Sequence, residues 1–243
     1  MNDSKVLLDI PLDISGTKAQ VLRWGTLILG IQALPTGLYL WPRWGSEVHQ
    51  GSVSPVACAL EGLCERHLLP TDTQALSAEA IMGPQSLLLR FLPPIQLGAD
   101  TQSQMPLVIP LWVRLRAGNR VLSQWPGYRL SRAWIGPDHT RGEMGFALTE
   151  PLPPGSPLCA AGEFSVANHS KETLLLESLA YPLARLGLYQ RTGQWVSPKL
   201  NWIFEAHRHE PKVTIEAPAN AELLQKPQQI EGPYWSLLPS ILK

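Results

Sequence analysis

Proline recurs along the whole chain, and that constrains the fold more than any other feature. There are 23 prolines and 19 glycines in 243 residues, some of the prolines clustered as Pro93-Pro94 and Pro151-Leu152-Pro153-Pro154. Each proline fixes φ and removes an amide donor, so long helices are excluded over most of the sequence. Hydrophobic residues make up 44% and charged residues 16%, which is apolar enough for packed cores and too apolar for wholesale disorder. Short strands separated by turns are the remaining way to bury that much apolar surface. The length suits one large domain or two of about 100–150 residues.

Strand patterns start at Lys5–Ile10 and continue through Leu22–Ile31, Gly37–Trp41 and Val48–Val53. After a gap they resume at Ser86–Leu92, Leu107–Leu115, Arg120–Trp125, Tyr128–Trp134 and Glu143–Leu148. In Leu111–Arg116 the leucines and the valine share one side, while Trp112, Arg114 and Arg116 take the other. That alternation describes a half-solvated antiparallel strand. Between the two groups, Val56–His67 has helix-compatible apolar spacing and Thr71–Met82 is alanine-rich with few breakers. One or two short helices, or a loop with helical turns, are expected at about 56–82. The run Glu150–Pro157 reads as an internal boundary. Beyond it lie strands at Leu158–Asn168, Thr173–Tyr181, Arg185–Gln190, Trp195–His207 and Lys212–Glu216, then an apolar tail, Gly232–Lys243. The expected architecture is all-β, with two antiparallel sandwich-like units over 1–150 and 158–243.

Charge is unevenly spread although the formal total is +0. Residues 1–85 hold five basic and eight acidic side chains, and residues 142–243 hold eight and ten. Residues 86–141 hold seven arginines, no lysine and two aspartates, a local balance of +5. Arginine binds carboxylates with a planar fork and stacks on aromatic rings. Trp112, Arg114, Arg116, Arg129, Arg132 and Trp134 are therefore the candidate contacts for a protein partner. The plainer alternative is that these arginines line solvated strand faces and pair with the acidic segments on either side. Nucleic acid is not expected as a partner, since the total charge is zero and no recognition motif is present.

Glu205-Ala206-His207-Arg208-His209 is the run most suggestive of chemistry. On a strand Glu205, His207 and His209 would project together, and two imidazoles with a carboxylate can ligate a transition metal. The run also abuts His209-Glu210-Pro211, where a polar turn is expected without any metal. Cys58, Cys64 and His67 form C-x5-C-x2-H, which has the wrong gap and no fourth ligand for structural zinc, so these cysteines read as small core residues. No nucleophile elbow, P-loop or dinucleotide fingerprint is present, and no cofactor is expected. A ligand cleft between the two units is a third reading, but no residue identifies its ligand.

Three cysteines, few and odd in number, do not suggest a disulfide framework. The opening Met-Asn-Asp-Ser-Lys-Val lacks the features of a secretory signal, and Ala19–Leu34 is too short and too polar to span a bilayer. The expectation is a soluble cytoplasmic protein, in which the sequons at Asn2 and Asn168 carry no weight.

Several phrases occur in a familiar order. Leu87-Leu88-Leu89-Arg90-Phe91 runs into Leu92-Pro93-Pro94-Ile95, followed by Met105–Val113, Tyr128-Arg129-Leu130-Ser131 and Gly136. A second strand-rich half contains Phe164–Asn168 and Leu183–Leu188. This order resembles the prokaryotic domain-of-unknown-function family 432 over about residues 20–210. The resemblance implies an uncharacterised, mostly β, soluble protein with no catalytic residues to carry over. It also implies a regulatory interaction with a membrane protein such as a small mechanosensitive-type channel, with membrane association only through that partner.

Overall fold

The computed structural model describes residues 6–12, 19–45, 64–69, 73, 75–135, 142–206, 211–227 and 240–241. The described chain is all-β, with a single 3-10 turn at Leu183–Arg185. It divides into two compact units that are interleaved in sequence. Unit 1 takes residues 1–81, 111–129 and 156–158; unit 2 takes 82–110, 130–155 and 159–243. A single boundary at 150–157 was expected. Instead the chain changes unit at 81/82, 110/111, 129/130, 155/156 and 158/159.

Unit 1 contains β1 (Val6–Pro11), β2 (Gln20–Trp24), β3 (Leu27–Leu34), β4 (Gly37–Trp44), β5 (Glu65–His67), β6 (Ala75–Ile81), β9 (Trp112–Ala117) and β10 (Arg120–Pro126). They form two four-stranded sheets, ordered β2-β3-β4-β5 and β1-β6-β9-β10. All of these pairings are antiparallel. Alternate residues supply the core: Leu27, Leu29 and Ile31 of β3, Leu38 and Leu40 of β4, Leu76 and Ala78 of β6, Val113 and Leu115 of β9. Two indoles tie sheet to sheet. Trp44 Nε1 donates to the Pro126 carbonyl at 2.8 Å, and Trp125 Nε1 donates to Glu65 Oε1 at 2.9 Å.

The helix expected within 71–82 is not formed, because Ala75–Ile81 is strand β6. Leu76, Ala78 and Ala80 face one way and are fully buried. Cross-strand packing against β9 thus overrides the helix propensity of the alanines. The earlier part of that expected connection, together with Val48–Val53, lies outside the described residues.

Unit 2 contains β7 (Leu87–Leu97), β8 (Thr101–Pro110), β11 (Leu130–Ile135), β12 (Glu143–Leu148), β13 (Cys159–His169), β14 (Leu174–Tyr181), β15 (Leu188–Arg191), β16 (Gln194–Val196), β17 (Lys199–Glu205), β18 (Lys212–Glu216), β19 (Glu222–Gln225) and β20 (Ser240–Ile241). One sheet is ordered β11-β12-β7-β14-β20; the other is ordered β18-β17-β13-β16-β15-β19, with β8 also paired to β13. This unit departs from a purely antiparallel pattern. β13 pairs β16 and β17 in parallel, and β12 pairs β7 in parallel. After β13 the chain crosses to the other sheet as β14 before returning, which is what a parallel neighbour requires.

An aromatic cluster joins the two sheets of unit 2. Phe91 of β7 and Phe164 of β13 have ring centroids 5.9 Å apart. Trp202 of β17 meets Phe164 edge-on at 6.1 Å and lies 6.4 Å from Tyr181 of β14. Such pairings contribute about 0.5–1.5 kcal/mol each beyond area burial. Of the apolar tail, Ser240–Ile241 is described, and it pairs with β14 opposite Ser178 and Leu176.

Candidate interaction surface

β9 shows the expected alternation but changes its meaning. Val113 and Leu115 are buried, and Arg114 and Arg116 are half-buried on the opposite face. Trp112 was expected on the accessible face with them, yet it is only 6% exposed and is withdrawn from the surface set. Alternation fixes which residues share a face; it does not say whether that face is covered. Register places Glu79 of β6 opposite Arg114, with Ser77 opposite Arg116. Arg116 Nη1 reaches Glu79 Oε1 at 3.3 Å, and the glutamate side chain is 7% exposed. Arg116 also donates to the Asn119 carbonyl at 3.1 Å. Arg116 is thus engaged in holding its own sheet.

Arg129, Arg132 and Trp134 are exposed. The Arg129 backbone N–H donates to Thr26 Oγ1 at 3.2 Å. Arg132 and Trp134 lie on one face of β11, two residues apart. β11 and β12 form a regular antiparallel pair in which Trp134 stands opposite Met144 and Arg132 opposite Phe146. Trp134 is 41% exposed and Met144 47%. The other face of the same two strands holds Ala133, Ile135 and Ala147, all buried. The result is a strip of arginine, tryptophan, methionine and phenylalanine on one side of an edge hairpin. These residue types are enriched in protein interfaces.

Met144 and Phe146 were missed by sequence reasoning, although a signal existed. Every β11–β12 pair is equidistant in sequence from His139, the centre of the turn-rich run Gly136–Gly142. Reflecting the sequence about that turn would have brought Met144 to Trp134.

The proposed metal ligands receive no test as a set. Glu205 is an exposed residue at the end of β17, and His207 and His209 lie outside the described residues. Among the described residues no group of three or more His, Cys, Asp and Glu could hold a metal ion. Cys58 is likewise outside them. Cys64 is half-buried, and His67 Nε2 lies 3.3 Å from Glu65 Oε2, the carboxylate that also accepts from Trp125.

Three further features were not anticipated. β7 carries a wide bulge: Ile95 pairs with Leu176 and Arg90 with Ser178, so Phe91–Pro94 stand against Glu177 alone. There Phe91 turns into the core and Leu92 is 92% exposed. On the other sheet of unit 2, a polar seam crosses four strands. Lys199 Nζ reaches Glu163 Oε1 at 2.9 Å and Gln104 Oε1 at 3.1 Å. Ser165 Oγ donates to Asn201 Oδ1 at 2.5 Å, and Asn201 Nδ2 donates to Glu216 Oε1 at 2.9 Å. The Lys199 hydrogen bond holds the Glu163 carboxyl below its ordinary range against the opposing effect of desolvation. Finally, Asn168 is fully buried, with its amide committed to backbone carbonyls, which rules its sequon out as an acceptor site in the folded chain.

Fold and surface define the class: an all-β protein of two interleaved sandwich-like units, with an arginine–aromatic strip on an edge hairpin. The family model described as "Protein of unknown function (DUF432)" matches residues 17–236, and the chain belongs to that family. No curated protein and no solved structure matches it. Among the described residues no helix is long and apolar enough to cross a membrane.

Proposed function

We propose that this chain is a non-catalytic interaction module that docks a protein partner through the outward strip of β11–β12. The observation that carries this reading is the direct cross-strand pairing of exposed Trp134 with exposed Met144, beside exposed Arg132. Tryptophan and arginine concentrate binding energy at protein interfaces, and their placement on paired strands limits the entropy lost on docking. The sequence adds a local arginine excess and carries no signature of reactive residues. The partner class is a protein with an acidic, apolar contact surface, and a regulatory role on a cytoplasmic face of a membrane protein is the form implied by the family resemblance. Any membrane association is through that partner.

The test is a tagged pull-down from the native host, with the wild-type chain beside an Arg132→Glu/Trp134→Ala variant of unchanged circular dichroism and melting temperature. Soluble and detergent-solubilised membrane fractions are both analysed by mass spectrometry. The expected result is a stoichiometric protein retained by the wild type and lost by the variant. Equal retention by both chains removes this surface from the reading.

A further inference from the structure

The side of the sheet on which the strip lies bears on what docks there, and this inference rests on the reading above. Register runs one row of side chains across four strands. Tyr181 of β14 stands beside Leu87 of β7, Leu87 beside Phe146 of β12, and Phe146 beside Arg132 of β11. Directly paired residues project from the same side of a sheet. Tyr181 packs near Trp202 of the opposing sheet, so the row belongs to the face that forms the core of unit 2. Exposure rises along it: Tyr181 and Leu87 are fully buried, Phe146 is half-buried and Arg132 is exposed. The strip is thus a stretch of core-packing face that extends past its cover. We propose that an amphipathic α-helix of another protein, with an acidic residue at the centre of its apolar stripe, covers it.

Dimensions and chemistry favour a helix. The strip has three rows: Leu130 with Leu148, Arg132 with Phe146, and Trp134 with Met144. Alternate residues along a strand are about 6.4–6.8 Å apart, so the rows span about 13 Å. That is the length of roughly nine helical residues. None of the six side chains carries an oxygen acceptor. An extended segment laid on this face would bury N–H groups without partners, whereas a helix satisfies its own. A helix packed on a sheet face is also one of the stable ways to bury that face.

Charge selects the occupant's sequence. Arg132 has no ion pair among the described residues. It sits in the middle row, with an apolar pair on either side. A helix with apolar residues at i, i+1, i+7 and i+8 and an acid at i+4 matches that order. A second copy of this chain does not supply it. The described residues contain no α-helix. The one acid of β11 and β12, Glu143, pairs with Ile135 on the other face and accepts from Ser86 Oγ at 2.7 Å.

The probe is a blocked, fluorescein-labelled sixteen-residue peptide of alanine and glutamine carrying that pattern, with leucine at the apolar positions and glutamate at the centre. It is titrated with the full chain and read by anisotropy. Two comparators accompany it, one with lysine replacing the central glutamate and one with a helix-breaking proline beside that glutamate. The expected result is saturable binding that weakens at least about tenfold for the lysine peptide, for the proline peptide and for the Trp134→Ala chain. An Arg132→Glu chain of unchanged circular dichroism and melting temperature should reverse the preference and bind the lysine peptide more tightly. Equal binding of the proline peptide overturns the helix while leaving side-chain docking on the same strip in place. Undiminished binding by Trp134→Ala overturns the assignment to this strip, and a preference that Arg132→Glu does not reverse overturns the pairing of the acid with Arg132. No saturable binding of the glutamate peptide overturns the inference, and the pull-down then decides separately whether the docking surface stands. A chain that dimerises through the strip, its dimer dissociated by Trp134→Ala, overturns the choice of occupant.

Discussion

The Tyr181 hydroxyl lies 2.9 Å from Ser197 Oγ and donates to the Pro198 carbonyl at 3.0 Å, fastening one sheet of unit 2 to the other. Tyr181 is on β14, and Ser197-Pro198 is the break between β16 and β17 that divides the single strand expected from Trp195 to His207. Burial pushes the phenol pKa well above the ordinary tyrosine range, outweighing the opposing effect of the Ser197 hydrogen bond.

Removing that hydroxyl should therefore cost stability and change its pH dependence. Tyr181→Phe is expected to destabilise the chain by about 1–3 kcal/mol, because the buried Ser197 and Pro198 oxygens lose a partner. The folded-state pKa is raised, so the contribution is fully present below about pH 10 and is lost as pH rises through the folded value. Urea titrations from pH 7 to 11 should show a shallower alkaline decline in the variant; an identical slope would mean that Tyr181 does not control it.

Asn168 organises two turns at once. Its Nδ2 donates to the carbonyls of Leu97, Gly98 and Glu172 at 3.1, 2.9 and 2.8 Å, and its Oδ1 accepts from Ser170. Asn168→Ala should cost about 2–3 kcal/mol by orphaning buried groups. Asn168→Asp should cost more than alanine, because it turns an acceptor onto three carbonyl oxygens. Chemical denaturation of the two variants settles the order.

Leu158 adopts φ 55° while its side chain is buried in unit 1. Its carbonyl accepts from the Leu111 N–H at 3.0 Å, and Tyr128 donates to the carbonyl of the preceding Pro157. Leu158→Ala should cost about 2–5 kcal/mol from the cavity. Glycine removes more side chain but relieves about 1 kcal/mol of left-handed strain, so Leu158→Gly should be at least as stable as Leu158→Ala. Melting temperatures showing alanine clearly ahead would contradict strain at this residue.

Gly30 of β3 stands opposite Trp41 of β4, and a Cβ added at Gly30 would collide with the indole. Gly30→Ala should lose about 1–3 kcal/mol by forcing the buried ring aside. Near-ultraviolet circular dichroism should report the displaced tryptophan; an unchanged spectrum with unchanged stability would show that the ring does not rest on this glycine.

How much of this was readable in advance depended on the range over which each feature is encoded. The strands Arg120–Trp125, Glu143–Leu148 and Lys212–Glu216 announce themselves through local pattern and turn chemistry, and the structure has them within a residue or two. Residues 75–81 misled because alanine favours helices intrinsically, while the deciding alternation of Leu76, Ala78 and Ala80 gains force only against β9. Leu107–Leu115 reads as one strand, but Pro110 ends β8 and Trp112 begins β9 in the other unit. The parallel pairing of Phe164 with Leu200 spans 36 residues and leaves no local trace. Composition singles out Arg132 and Trp134, and both are exposed. Met144 needed a register, and the burial of Trp112 needed the third dimension.

The five passages of the chain between units bear on heredity as well as on folding. Proteins built as consecutive modules can lose one, duplicate one or trade one by a single recombination event. Here any single crossover leaves residues belonging to both units on one side of the break or the other, so neither unit can be exchanged whole. The two are transmitted as one indivisible piece, and a change that unsettles either is exposed to selection on both.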